Sequence, residues 1–543
     1  MYYKVGSGKT LAAAYAAVEM IMRNIISSAV VVLPSAIEKN FRGELTRAIP
    51  DPEMRRRIHV YSMQGNLQDA LRHVRGNLLV IDEAHNLRNG GKRFLAVHRL
   101  SKAARKVLVM TATPVYNYPK DIARLLTLVE PGANHAPRGP AGDAGGWVLE
   151  NTITNNKNEI DVLFDKHFGV TGSKTGSTSN LQRFLKCKVL YYEPNGADLS
   201  DFPTSTEHFI NVAMGPKSTK EQLDLASDSK PSADTGDLEA FMRGEKAIQK
   251  VISFLRTYRL LGNGVIKDGD KIKEVEGHKI RLVLSAVRDL HDRGLKSVIY
   301  SEFLEVIDIL KRELEDVGIE CGVFTGDRKD LAGGYSKVSK TRVLDQQAYN
   351  DGHLRVMFIS KAGSEGLSLR GTAAMFIMEP SWNEESQRQI IGRVVRFGSH
   401  RGSVHTHVDI YRYIARLPRG AAKPAGMSRK LMEKGTADER LLHISKLKSK
   451  ISNRFLSLVK KLANDTMTRC RASNVNARAY REANTHAFSP FSSPISGTPT
   501  RSPSRSPSRS PNRSPRRGDT PRRRSPSSSI ADVSSRTGRL SIK

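Results

Sequence analysis

The chain is expected to adopt an α/β fold built on two parallel sheets flanked by helices, on three observations. Short runs of β-branched residues, such as Ala29–Leu33 and Val356–Ser360, alternate with helical stretches. A glycine-bearing turn, Val5-Gly6-Ser7-Gly8-Lys9-Thr10, leads straight into the helical run Leu11 to Asn24. The alternation then starts afresh near His278, after a stretch that turns to Gly, Pro, Asn and Ser.

Size and charge bound the rest. A chain of 543 residues has room for two or three domains. A net charge of +32 selects a polyanionic partner, nucleic acid in the simplest case. Cys187, Cys321 and Cys470 lie too far apart for a disulfide framework or a metal pattern, so a reducing compartment is expected. The apolar stretch Leu11–Leu33 is interrupted by Glu19, Arg23 and Asn24 and reads as a helix followed by a buried strand. Neither a spanning helix nor a targeting segment is expected.

The elements follow in order. Residues 1–132 form the first α/β block, with strands at Ala29–Leu33, Asn77–Ile81 and Lys106–Met110. Residues 133–277 read as an insertion or connector, with strand-rich pieces at Cys187–Glu193 and His208–Val212. Residues 278–416 form the second block, its strands at Ser297–Ser301, Gly322–Thr325, Val356–Ser360 and Ala373–Met378, with Val408–Ala415 as an edge strand. In the helical extension 417–477, Leu441, Ile444, Leu447, Ile451, Phe455 and Leu458 keep helical spacing, as a core-packing face would. The Arg/Ser/Pro-rich tail, 478–543, has few core-forming residues and is expected to be disordered. It carries about a third of the net positive charge and reads either as a basic arm for nucleic acid, switched by phosphorylation, or as a plain solvated tail.

The chemistry sits at the ends of the strands. Gly6, Ser7 and Gly8 let the backbone curl so that successive N–H groups face phosphate oxygens. Lys9 would reach the β- and γ-phosphates, and the Thr10 hydroxyl would ligate Mg²⁺. Asp82-Glu83-Ala84-His85 closes the strand Leu78–Ile81, opposite that loop. Asp82 would hold the metal through water, and Glu83 would orient the attacking water. Hydroxyls at Thr111 and Thr113 close the next strand and can hydrogen-bond those carboxylates. Far downstream, Arg393 and Arg396 stand three residues apart, a spacing that shares one helical face and suits arginine fingers offered from a second domain.

Taken together, G-S-G-K-T, P-S-A-I-E-K-N-F, D-E-A-H-N-L-R-N, T-A-T-P-V-Y-N, S-E-F-L, S-K-A-G-S-E-G-L-S-L and Q-I-I-G-R-V-V-R resemble the ordered motifs of superfamily 2 helicases. The detail P-S-W-N-E-E-S-Q looks Snf2-like. Y-Y-K-V-G-S-G-K-T, K-V-L-Y-Y-E-P and G-R-V-V-R-F-G-S-H resemble helicases of large DNA viruses, akin to poxvirus nucleoside triphosphatase I and the early transcription factor small subunit. The resemblance implies two RecA-like P-loop NTPase domains with ATP and Mg²⁺ bound between them. It adds Gln389 to the catalytic set, Gly366 to the nucleotide-binding set and His85, with Thr111 and Thr113, to a coupling set. It also implies backbone contacts to nucleic acid through Ser35, Thr325 and Ser360, with DNA favoured over RNA. DNA-dependent ATP hydrolysis serving viral transcription is expected, with a viral RNA polymerase as partner and the virion, host cytoplasm or nucleus as the place. In the family a strand and adenine-contacting residues precede the phosphate loop, so an upstream start is expected, or else an impaired nucleotide site. An RNA helicase and a catalytically silent nucleic-acid-binding fragment stay open as alternatives.

Overall fold

The run Ala29–Leu33 is apolar on both faces and stops at Pro34. In the computed structural model of the chain it forms a strand with all five residues buried. The structure describes residues 2–3, 8–88, 91–115, 121–129, 170–171, 174–175, 185, 189–192, 199–228, 256–268, 271–274, 277–325, 338–361, 367–418 and 435–473. All belong to one compact unit, Met1–Phe488. Gly6, Ser7 and Gly366 lie outside the described residues, as do 133–169 of the expected connector and the tail 478–543.

The first half runs β1 (Tyr2–Tyr3), α1 (Lys9–Met22), β2 (Ala29–Leu33), α2 (Ser35–Ala48), α3 (Pro52–Arg56), β3 (Ile58–Ser62), α4 (Gln68–Val74), β4 (Leu78–Ile81), α5 (Lys92–Ala103), β5 (Lys106–Val109) and α6 (Ile122–Val129). Four of the strands make a parallel sheet in the order β3-β2-β4-β5. Side chains alternate across a strand, so β2 feeds two cores. Val31 and Leu33 pack with Ala13, Ala17, Ile21, Phe41 and Leu45 of α1 and α2. Val30 and Val32 pack with Ala70, Val74, Phe94, Val97 and Leu125 of α4, α5 and α6. The short helix α3 is set by its ends: Pro52 opens it, and the Asp51 side chain accepts from Glu53 N–H at 2.9 Å.

Next come β6 (Val170–Thr171) and β7 (Lys174–Thr175), which pair with each other, and β8 (Tyr191–Tyr192), which pairs in parallel with β1. They are followed by β9 (Thr204–Ala213), α7 (Pro216–Asp228) and the antiparallel pair β10 (Val265–Asp268) and β11 (Lys271–Glu274). The second half continues with α8 (His278–Asp292), β12 (Lys296–Tyr300), α9 (Leu304–Glu315), β13 (Cys321–Phe324), α10 (Val338–Asp351), β14 (Val356–Ile359), β15 (Thr372–Ile377), α11 (Glu384–Ile391), β16 (His407–Arg416) and α12 (Ala437–Ser473). Its sheet has six strands, all parallel, in the order β13-β14-β12-β15-β16-β9. Ile280, Val283, Leu284 and Val287 give α8 the helical apolar stripe that buries on this sheet.

Two expectations change here. Residues 408–415 do not form an edge strand. All ten residues of β16 pair with β9, drawn from the expected connector, and β9 is the outer strand instead. The buried stripe of α12 is also not the all-apolar one. Leu441 and Phe455 are buried, but Leu447 is 50% exposed, and Ser445, Lys448 and Ser452 are buried in the places between. Polar groups on the docking surface explain this: Glu384 Oε2 lies 3.5 Å from Ser445 Oγ, and the Trp382 carbonyl accepts from Lys448 Nζ at 3.4 Å.

Helix α12 touches both halves. Its first turn is fixed to the second sheet by Asp438, whose Oδ2 accepts from Ala415 N–H at 2.8 Å and pairs with the buried Lys279 ammonium. Further along, Phe455, Leu456 and Val459 pack with Val115, Ile122 and Leu126 of the first half.

Candidate active site

Gly8 caps α1 at φ +80°, in the left-handed region that a side chain disfavours, and α1 begins at Lys9. Among the described residues, nothing lies within 4 Å of where a side chain on Gly8 would start. Lys9 stands at the positive end of the helix dipole with Thr10 beside it. The sheet places the partner residues opposite. β4 ends at Ile81, Asp82 N–H continues its ladder to the Val32 carbonyl at 2.9 Å, and the chain then turns sharply.

That turn holds Glu83 at φ +46°, left-handed backbone in a non-glycine residue. Such strain, of order 1–3 kcal/mol, persists where the surroundings over-determine it. Here Glu83 N–H donates to Asp82 Oδ1 at 2.8 Å, and Ala84 N–H to the Met110 carbonyl at 3.0 Å. The result aims the Glu83 carboxylate at Lys9 Nζ, 3.4 Å from Oε1. On its other side His85 Nδ1 lies 3.3 Å from Glu83 Oε2 and 3.3 Å from Thr111 Oγ1. Thr111 Oγ1 in turn accepts from Thr113 N–H at 2.9 Å. Phosphate loop, D-E-A-H turn and T-A-T-P turn are thus one chain of contacts.

The two carboxylates differ. Burial and the adjacent Glu83 push Asp82 above the usual carboxylate range. Burial also opposes ionisation of Glu83, but Lys9, His85 and Arg393 overcome it and hold Glu83 well below that range. Glu83 is therefore ionised, while Asp82 is a buried carboxyl group that gains from a cation. Lys9, Thr10, Asp82 and Glu83 suit a nucleoside triphosphate with Mg²⁺, an ion that takes one or two protein ligands and completes its shell with phosphate and water. No cluster of three His, Cys, Asp or Glu gathers for a metal among the described residues.

The second half supplies three more of the expected residues. Asn383 caps α11 by accepting from Ser386 N–H at 2.7 Å. One face of α11 then carries Gln389 to the first half, where Gln389 Nε2 donates to Thr113 Oγ1 at 3.1 Å. The arginine pair departs from the expected shared helical face. Gly392 ends α11 at Ile391, which puts Arg393 and Arg396 in the turns beyond it. The charge of Arg393 acts on Glu83, whereas Arg396 faces Glu44 of α2, 3.8 Å away. Glu44 belongs to no motif and was not legible in the sequence.

The three residues expected to touch nucleic acid are not equivalent. Ser35 is exposed on the first turn of α2, with its N–H bonded to Gln64 Oε1 at 2.9 Å. Thr325 and Ser360 end the neighbouring strands β13 and β14, and both are buried. Glu379 was also missed. It is buried after β15, accepts from Ser301 Oγ at 2.7 Å and Asn263 Nδ2 at 2.8 Å, and burial pushes it up to about 7.

An SNF2-related domain model matches residues 56–137, and a helicase conserved C-terminal domain model matches residues 278–398. The chain thus carries an SNF2-related domain and a helicase C-terminal domain. The chain is 28% identical to a protein of Acanthamoeba polyphaga mimivirus named as an ATP-dependent RNA helicase, over 84% of the chain and 92% of the relative. It is 21% identical to the termination factor NPH-I homolog of African swine fever virus, over 85% of the chain and 75% of the relative. A solved SWI2/SNF2 ATPase core of Sulfolobus solfataricus, in complex with dsDNA, aligns with 76% of the chain and 82% of its own at 18% identity and a TM-score of 0.32. The chain is an ATP-hydrolysing enzyme; between its halves, Gln389 bonds to Thr113 and the charge of Arg393 acts on Glu83. Among its described residues, no helix is long and apolar enough to cross a membrane.

Proposed function

We propose that the protein is an ATP-driven translocase that tracks along DNA in the service of viral transcription, at termination or initiation. The observation that carries this reading is the bond from Gln389 to Thr113, which ties the helix of the second half to the residues that sense the D-E-A-H carboxylates. Lys9 would hold the β- and γ-phosphates, Thr10 and Asp82 would hold Mg²⁺, and Glu83 would orient and polarise the attacking water. When bound, Mg²⁺ would supply positive charge against the phosphate oxygens. Arg393 stabilises that charge from the second half, and Arg396 braces the same closure through Glu44. Opening and closing of the halves alternates their grip on the nucleic-acid backbone, with Ser35 offering the exposed contact. The basic tail raises the local concentration of nucleic acid. A viral RNA polymerase is the partner, in the virion, host cytoplasm or nucleus; the name of the African swine fever virus relative supports the link to termination.

The name of the mimivirus relative favours a second reading, an RNA helicase. Steady-state hydrolysis with duplex DNA, single-stranded DNA, RNA and no nucleic acid separates the two. Stimulation by DNA that weakens steeply with salt is expected. Equal rates in all four conditions would refute the motor reading, and stimulation by RNA alone would replace the track.

A further inference from the structure

The outer strand β9, the start of α11 and the exposed side of α12 line an open groove of about 540 Å³. Phe209 lines it, an aromatic ring 46% exposed on the edge of the sheet. The Arg412 guanidinium lies 4.8 Å from the ring centroid and Lys446 Nζ 5.7 Å. Lys446, Lys450 and Arg454 recur every fourth residue along α12, so they form one row with steps of ~6 Å. All three are exposed, and none has a carboxylate partner among the described residues. Ser449, Asn453 and Ser457 stand between them and offer hydrogen bonds. Among the described residues of the lining Glu384 is the acidic one, and it pairs at 2.5 Å with Arg412, which also meets Glu207 at 2.9 Å.

We infer that this groove is a second site for single-stranded nucleic acid. One base stacks on Phe209, and the backbone phosphates follow Lys446, Lys450 and Arg454. A stacking ring beside a cationic row is the chemistry that takes unpaired bases, whose faces a duplex withholds. Thr325 and Ser360, the residues of this half expected to touch nucleic acid, follow β13 and β14, which lie five and four strand spacings from β9, on the order of 24 and 19 Å. The inference rests on the nucleic-acid reading for its ligand class but not on the ATP chemistry. The site would hold a displaced strand or a nascent transcript while the motor moves.

The experiment uses the full chain and a thymidine 20-mer, binding being followed by fluorescence anisotropy across a salt series. Phe209→Ala should weaken the single strand about tenfold and leave a duplex of equal length unaffected. The triple change Lys446→Gln, Lys450→Gln, Arg454→Gln should flatten the slope of log affinity against log salt by about 2. Hydrolysis without nucleic acid should be unchanged in both. A 4-thiothymidine 20-mer, crosslinked by light and mapped by mass spectrometry, should mark residues 204–213 or 446–457. If the wild type binds oligonucleotide but neither variant changes its affinity and no crosslink falls on those residues, the groove is not a nucleic-acid site and the proposed function stands. A wild type that binds no nucleic acid overturns both. Displacement of the oligonucleotide by polyglutamate as effectively as by unlabelled thymidine 20-mer would assign the groove to acidic peptides instead.

Discussion

Gln389 and Thr113 are 276 residues apart in sequence and 3.1 Å apart in space, joined by a hydrogen bond from the amide to the hydroxyl. Thr113 is buried and tied through its own N–H to Thr111, which reaches His85 and so Glu83. The bond therefore links the second half to the group that would position water. A double-mutant cycle of Gln389→Ala and Thr113→Val, read from kcat, should show a coupling of about 0.5–1.5 kcal/mol. Strictly additive losses would remove the bond from the coupling route.

Lys9→Ala should abolish hydrolysis, because it removes the cation facing both Glu83 and the phosphate position. Glu83→Gln should keep ATP binding but stop turnover, since the amide cannot polarise water. Equilibrium binding of a fluorescent ATP analogue and steady-state hydrolysis check both. Normal turnover in Glu83→Gln would take the water-positioning role away from it.

The divergence of the two arginines predicts unequal effects. Arg393 acts on Glu83, so Arg393→Ala should lower kcat by about 10³-fold or more, as loss of an arginine finger does. Arg396 meets Glu44 at 3.8 Å in a half-buried pair with no charge effect on Glu83, so Arg396→Ala should cost less than Arg393→Ala. Equal losses would mean that the halves close further than this arrangement shows.

Glu379 gives a pH signature in stability. Burial raises its folded value to about 7 from 4.5, so the folded state keeps a proton that the unfolded state has released between those pH values. Its stabilising effect is complete below about pH 4.5 and is lost as pH rises through 7, a change of up to about 3 kcal/mol. Glu379→Gln, which cannot titrate, should be less sensitive than the wild type over this window. Urea midpoints at pH 5 and pH 8 test it, and parallel shifts in the two proteins would contradict it.

Phe455 should matter more than its place on a C-terminal helix suggests. It is 4% exposed, in a cluster with Val115, which closely follows the T-A-T-P turn. Phe455→Ala should destabilise by about 3–5 kcal/mol, while Leu447→Ala, at a half-exposed position, should cost under about 0.5 kcal/mol. Thermal unfolding compares the two. A Leu447 effect as large as that of Phe455 would place the buried face elsewhere.

Much of the fold was legible because buried parallel strands are written as unbroken apolar runs: β2, β4 and β14 fall within a residue of their expected bounds. β3 escaped notice because Ile58-His59-Val60-Tyr61-Ser62 mixes polar residues into a half-exposed strand. The residues of the phosphate-loop, D-E-A-H and T-A-T-P turns could be listed from motifs, but their directions could not. Gly392 turns the two arginines apart, and nothing in their spacing announces Glu44 as a partner. The stripe of α12 misled because apolar spacing was counted, whereas the docking surface presents a carboxylate and a carbonyl to Ser445 and Lys448.

The outer strand β9 also sets the order of events on the ribosome. Thr204 and His407 are partners in register yet lie 203 residues apart. At ~5–20 residues per second, β9 emerges roughly 10–40 s before the strand that will hold it. During that interval its backbone donors and acceptors lack their sheet, and the six-stranded half cannot finish assembling until β16 has been made. Translation speed between the two segments, and any chaperone that shields an extended segment, therefore bear on the yield of active enzyme without touching its chemistry.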